Sequence, residues 1–263
     1  MTMYTVPAGN ISGMVFSLVV AIGGPIGLCI FIRRKYKADM LPFFLGCGTF
    51  FVFALVLEQL LHLVVLFHLG TVSDQLMGNI WLYAVYGGLA AGLFEETGRF
   101  LTMKFLMKKS LNQENALMYG AGHGGLEAIL LMGLTSINNL VRAVMINSGA
   151  LVSALPEGAD AEQALTTLSP LWTVPAWQFY LGGVERMMAM AIHIALSLLV
   201  YQAVRYRKRG YLFFLAILFH FLINMVVVLI ADYSSVVMAE VSTLIGTILI
   251  WSVVWLSLRN NNN

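Results

Sequence analysis

Of the 263 residues, 59% are hydrophobic and only 11% charged, with a net charge of +2 and a mean hydropathy of +0.83. A soluble domain carries roughly 25% charged residues, so this chain has too little polar surface to wrap a core in water and takes lipid as its solvent. A soluble fold, a disordered chain, a disulfide scaffold and a nucleic-acid binder are excluded together.

Apolar runs of about 20 residues, enough to cross a bilayer, predict seven helices over 12–32, 41–69, 78–106, 115–146 (with a break near Gly133), 177–204, 211–231 and 236–257. The first run is preceded by no Lys or Arg, so no signal peptide is expected. Cys29 and Cys47 fall in apolar runs near the same, reducing face of the membrane, where a disulfide is not expected. The linkers after the first, third and fifth spans are basic: Arg33-Arg34-Lys35-Tyr36-Lys37, Lys108-Lys109-Ser110 and Arg205-Tyr206-Arg207-Lys208-Arg209. The long polar stretch from Asn147 to Pro175 carries Glu157, Asp160 and Glu162 and no basic residue, and Asn260 to Asn263 form a short polar tail.

Basic residues collect on the cytoplasmic side of membrane proteins. With the N-terminus outside and the C-terminus inside, twelve of the fifteen Lys and Arg residues fall in cytoplasmic loops or span ends, and Arg99, Arg142 and Arg186 fall within helices. The fold class expected is an all-α, polytopic transmembrane bundle of about seven spans. It forms a single integral-membrane domain over 1–263, with a core at 78–231 and an external loop at about 147–175.

A charge at mid-bilayer costs about 2.5–3.5 kcal/mol on insertion scales, which makes intramembrane ionisable groups functional candidates. The third span carries Glu95, Glu96 and Arg99, the fourth His123 and Glu127, the fifth Glu185, Arg186, His193 and Ser197, and the sixth His220 and Asn224. At about 1.5 Å per residue from the cytoplasmic span ends, His123, His220, His193, Glu95, Glu96, Glu127 and Asn224 all come out roughly 12–20 Å deep. Glu58 and His62 come out at about 26–32 Å by the same count, near the outer boundary and outside the layer. Glu185–Arg186, about 27 Å deep, is expected to be a structural ion pair at the outer rim. Within the layer, Glu95 with Arg99, His123 with Glu127, His193 with Ser197 and His220 with Asn224 are spaced i,i+4, on one face of each helix. Gly92, Gly98, Gly120, Gly122, Gly124 and Gly125 sit at the same levels, where they let helices approach closely.

Adjacent carboxylates in a low-dielectric site repel, so both ionise only beside a cation. Arg99 suits one of the pair, leaving the other to take a proton from water. Histidines on neighbouring helices can orient that water, and His220 with the Asn224 amide can donate to an oxyanion. The same groups fit a zinc site, with His123, His193, His220 and Glu96 as candidate ligands.

Glu95-Glu96-x-x-Arg99, the Gly-rich helix with His123 and Glu127, Glu185-Arg186 with His193, and His220-x-x-x-Asn224 together resemble the YhfC-type intramembrane peptidases. That family is similar to the PrsW proteases and, more distantly, to the CAAX prenyl endopeptidases and bacteriocin-processing enzymes. The resemblance spans the third to the sixth helix. It implies Glu95 or Glu96 as the water-activating base, Arg99 as its electrostatic partner, and His123 or His193 as the water holder. It implies His220 and Asn224 at the oxyanion, with Glu127, Ser197 and Arg186 in support. The arginine stands one residue nearer the glutamates than in the CAAX pattern, and PrsW has a lysine at this shorter spacing. Both metal-dependent and metal-free members are described, so no cofactor is firmly implied by the resemblance, and zinc is possible.

The expected activity is hydrolysis of a peptide bond in or beside the bilayer of a bacterial plasma membrane. The expected partners are a membrane-embedded or membrane-proximal peptide or protein and the lipid bilayer, with no nucleic acid. A proton- or ion-coupled transporter is the first rival, although no matching pair of inverted halves is present in the sequence. A catalytically silent scaffold that binds transmembrane helices is the second.

Overall fold

A computed structural model describes residues 4–151, 153, 155 and 160–259; Glu157 and the Asn260–Asn263 tail lie outside the described residues. Among the described residues the chain is all helix and turn, with no strand. The helices are α1 (Ala8–Tyr36), α2 (Leu41–Phe67), α3 (Thr71–Gly78), α4 (Ile80–Leu106), α5 (Gln113–Asn147), α6 (Ala161–Leu168), α7 (Pro170–Thr173), α8 (Ala176–Arg205), α9 (Tyr211–Tyr233) and α10 (Val236–Arg259). Six are long and apolar enough to cross a membrane, and a seventh span arises if α3 and α4 are taken together.

Two details differ from the sequence expectation. The linker before the third span is not a plain turn: it holds the short helix α3, which meets α4 at 102°, while α4 itself matches the expected span. Asn79 turns the corner in extended conformation, and its side-chain oxygen accepts from the backbone N–H groups of Trp81 (3.0 Å) and Leu82 (3.3 Å), covering donors that a helix start leaves open. The expected break near Gly133 is instead a π-helical segment, Ile129–Gly133, through which α5 continues. Two further π segments, Phe51–Glu58 in α2 and Thr102–Leu106 in α4, flank the polar layer. Such widened turns re-aim side chains and recur at functional sites.

The chain divides into two compact units, one of Met1–Gly24 with Glu127–Met187 and the other of Pro25–Leu126 with Met188–Asn263. The smaller unit is built on Val6, Met14, Ala143, Ile146, Leu151 and Leu171. Its N-terminal strap is held by side-chain amides. Asn10 donates to the carbonyls of Leu171 and Val174, both at 2.9 Å, and Asn147 exchanges hydrogen bonds with the backbone of Val6 at 2.7 and 3.1 Å.

The larger unit packs α2, α4, α5, α8 and α9 through glycines, as association in lipid requires where no hydrophobic gradient drives it. A Cβ on Gly46 would lie 2.2 Å from the carbonyl oxygen of Tyr119, and one on Gly122 would lie 2.0 Å from that of Phe43, so α2 and α5 meet backbone to backbone. On α4, Gly88 and Gly92 would come within 2.7 and 2.9 Å of the carbonyls of Phe221 and Ile217 on α9. Gly120 of α5 would meet the Ile194 backbone of α8 at 2.6 Å. These close contacts join five helices, and Gly92, Gly122 and Ile194 lie within three residues of Glu95, His123 and His193. Met103, Tyr119, Leu196, Leu199, Ala216 and Ile250 close the apolar core around them.

Gly122→Ala should therefore lower stability by about 1–3 kcal/mol through overpacking, whereas Gly27→Ala, with nothing within 4 Å, should be neutral or slightly stabilising. Thermal unfolding in detergent compares the two, and equal midpoints would contradict the packing.

Candidate active site

Residues Ala84, Gly88, Ala91, Gly92, Glu95, Glu96, Arg99 and Thr102 are buried on α4, a stripe that repeats every three or four positions. Its N-terminal half is small and admits α9; its C-terminal half is charged. Arg99 and Glu96 have no exposed surface, and Glu95 is 7% exposed.

Arg99 is the hub. Its Nε donates to Glu96 Oε2 at 2.9 Å and its Nη2 to Glu96 Oε1 at 3.2 Å, a forked pair that fixes both planes. Nη1 donates to the His193 carbonyl at 3.0 Å and to the Ser197 hydroxyl, on α8. Nη2 also reaches His193 Nδ1 at 3.2 Å. A guanidinium only donates, so Nδ1 of His193 accepts and the ring of neutral His193 carries its proton on Nε2. The Tyr119 ring lies 5.9 Å from the Arg99 guanidinium carbon, a cation–π contact absent from the sequence reading.

The two glutamates have different surroundings. Glu96 holds Arg99 and, through Oε1, the Nδ1 of His220 at 2.8 Å. Glu95 meets His123 Nε2 through Oε2 at 2.8 Å, and that oxygen lies 4.0 Å from His193 Nδ1. Its other oxygen, Oε1, faces His220 Nε2 at 3.8 Å. The last distance is too long for a hydrogen bond and short enough for one bridging atom. The rings of His123 and His193 are 4.9 Å apart and those of His193 and His220 5.5 Å, so the three histidines surround Glu95.

Glu95, Glu96, Arg99, His123, His193, Ser197 and His220 are thus brought together. Asn224 lies one turn beyond His220, half-buried, and among the described residues it forms no hydrogen bond to the cluster. Glu127, which depth counting puts in the same layer, accepts instead from Arg186 Nη1 at 2.8 Å, and Arg186 also pairs with Glu185. That ion triad belongs to the smaller unit.

The sequence reading places Glu58 and His62 outside the layer, and here the structure corrects it for Glu58. The Thr49 and Thr102 hydroxyls are hydrogen-bonded at 2.8 Å, and the Phe53 ring lies over Gly98. These contacts set the antiparallel register of α2 on α4 and place Glu58 across from Gly92 and Leu93, less than a turn from Glu95. Glu58 is 6% exposed and within electrostatic range of both Glu95 and His220. Depth counting assumes level span ends. The Thr49–Thr102 bond shows a stagger of four residues, about 6 Å at the helical rise.

The donor set can be tested for a metal. Glu95, His193 and His220 each offer a ligand atom, all within 4.8 Å of one another, and one carboxylate with two histidines is an accepted three-ligand zinc set. The Glu96–His220 bond is the outer partner that a ligating histidine takes. In chemistry and spacing the residues fit. Glu95 stands where the sequence reading had Glu96, which is engaged with Arg99.

The family model described as YhfC intramembrane metalloprotease matches residues 16–245, covering the whole cluster. This chain belongs to the YhfC family. An uncharacterized membrane protein YhfC of Bacillus subtilis (strain 168) is 42% identical over 233 residues, spanning 88% of this chain and 89% of its own. No solved structure matches significantly. The chain is therefore an integral membrane protein of a family described as intramembrane proteases.

Removing one partner of a buried ion pair costs about 3–5 kcal/mol because a lone charge is left behind. Arg99→Met should destabilise the protein by that order, and adding Glu96→Leu should recover part of the loss. Thermal unfolding of the single and double variants checks this; no recovery in the double variant would contradict a dominant Arg99–Glu96 pairing.

Proposed function

We propose that the protein is an intramembrane peptidase of the bacterial plasma membrane in which Glu95 activates water. The observation that carries this reading is the division of labour between adjacent carboxylates. Glu96 is saturated by Arg99 and His220, whereas Glu95 Oε1 faces His220 Nε2 across a 3.8 Å gap. A water in that gap donates to both acceptors and turns its lone pair to the substrate carbonyl carbon. As the oxygen–carbon bond forms, Glu95 takes one water proton. It returns that proton to the amide nitrogen as the carbon–nitrogen bond breaks, leaving a carboxyl group and a free amine.

His193, with Nδ1 accepting from Arg99, presents Nε2–H to the oxyanion, and the Asn224 amide supplies a second donor. His123 steadies Glu95 through its 2.8 Å bond. Ser197 and Glu96 act through Arg99, and Arg186 with Glu127 stabilises the smaller unit. The family description as metalloproteases favours a second form of the same reading. A zinc ion there would be held by Glu95, His193 and His220, and would polarise the scissile carbonyl and acidify a bound water. The substrate class is a membrane-embedded or membrane-proximal polypeptide. In this reading the N-terminus is outside and the C-terminus cytoplasmic, an orientation that the twelve loop and span-end basic residues support.

Three measurements bear on this. In reconstituted vesicles, Glu95→Gln should lower cleavage of membrane peptides by about 10²–10⁴-fold, the usual contribution of a general base; full activity in this variant would remove Glu95 from the role. Metal analysis of the purified protein and of His220→Ala separates the two forms, because stoichiometric zinc lost with His220 establishes the metal form and its absence from an active enzyme establishes the other. Impermeant thiol labelling of intact cells should reach a cysteine placed at Thr71 and not one at Lys109; the reverse would overturn the orientation.

A further inference from the structure

The cluster that would hydrolyse a peptide bond is nearly sealed: Glu95 is 7%, His193 5% and His220 4% exposed, and Glu96, Arg99 and His123 are fully buried. Each turnover consumes a water molecule, and the hydrocarbon core of a bilayer supplies none. A route for water needs polar groups in sequence, since water in an apolar passage forfeits its hydrogen bonds.

One such sequence of groups exists on α2 and α4. Glu58 Oε1 lies 3.2 Å from His62 Nε2, and His62 Nδ1 lies 2.8 Å from the Tyr86 hydroxyl, with the two rings 5.4 Å apart. Burial falls along this chain, from a Glu58 side chain 8% exposed to a His62 side chain 21% exposed. Apart from Gln59, its exposed neighbours on the same helix are apolar: Leu57, Leu60, Leu63 and Val64 are 39–56% exposed. The π segment Phe51–Glu58 ends at Glu58 itself, and a widened turn changes which way the following side chain is aimed. The register fixed by Thr49–Thr102 and by Phe53 on Gly98 places Glu58 less than a turn from Glu95. The His62–Tyr86 bond, three residues out of that register beyond the π segment, joins α2 and α4 again on the side of Glu58 away from Gly98.

We propose that Glu58, His62 and Tyr86 form the polar path by which water reaches the Glu95–His220 gap, with Glu58 as a positioning residue at its inner end. The charged and titratable groups facing Glu58 are His62 on its own helix, Glu95 and Tyr86 on α4 and His220 on α9. The path follows from side-chain geometry alone; its use rests on the hydrolase reading given above.

The test uses the full-length protein with Cys29 and Cys47 replaced by Ala, held in lipid discs that leave both faces open to solvent. Single cysteines at His62, Tyr86, Leu60 and Leu63 are treated with a charged, membrane-impermeant thiosulfonate. A thiol reacts as its thiolate and only where the aqueous reagent reaches it, so His62→Cys and Tyr86→Cys should be modified about tenfold faster than Leu60→Cys and Leu63→Cys. Equal rates at all four positions would overturn the path. In the otherwise native protein, Glu58→Gln should lower kcat about tenfold with little change in KM, and Glu58→Asp should restore part of it. Undiminished kcat in Glu58→Gln would remove Glu58 from the path. Selective labelling in a protein that cleaves no peptide would support the path and refute the peptidase reading, so the two fail separately.

Discussion

The buried guanidinium of Arg99 is the constraint on which the polar layer depends. A fully buried cation must find compensating charge and enough acceptors for its donors. Arg99 finds them on Glu96, the His193 carbonyl and imidazole, and the Ser197 hydroxyl. Those partners belong to α4 and α8, so one side chain ties two helices together. Through Glu96 it reaches a third, because the carboxylate that it orients also binds His220 of α9. The tautomer of His193, the direction of His220 and the availability of Glu95 all follow from where Arg99 places its five N–H groups.

Glycine permits this arrangement and lipid enforces it. Gly46 and Gly122 bring α2 and α5 to backbone contact, and Gly88 and Gly92 do the same for α4 and α9. Without that approach, the side chains of Glu95, His123 and His220 could not span the distance between helices. In a membrane the unsatisfied alternative is costly, so a cluster with so many polar groups is stable only when they answer one another. Among the described residues, Glu95 Oε1 and His220 Nε2 stand 3.8 Å apart, too far for a direct hydrogen bond and close enough to share one bridging atom.

Much of the spans and the polar layer was legible in the sequence. Runs of apolar residues marked the helices, and depth put Glu95, Glu96, His123, His193 and His220 at one level, although Arg99 pairs with Glu96 and not with Glu95 at the i,i+4 spacing. The roles of the two glutamates were not legible, because adjacent residues on a helix point about 100° apart and only the neighbours decide which meets a cation. The stagger between α2 and α4 was equally hidden. It depends on Thr49 meeting Thr102, a contact with no local signature, and it moved Glu58 from the outer boundary to the edge of the cluster. The pairing of Glu127 with Arg186 likewise could not be read from depth alone, since two groups of equal depth need not face each other. Tyr119 beneath Arg99 left one faint trace, its position four residues before His123.

The account turns on Arg99 fixing the imidazoles, and nitrogen-15 NMR of the protein in bilayers, with histidine labelled, reads this directly. Resting His193 should carry its proton on Nε2, with Nδ1 shifted as a hydrogen-bond acceptor, and His220 should carry a proton on Nδ1. The His193 pattern should be lost in Arg99→Gln. A His193 protonated at Nδ1, or a spectrum unchanged by Arg99→Gln, would contradict the account.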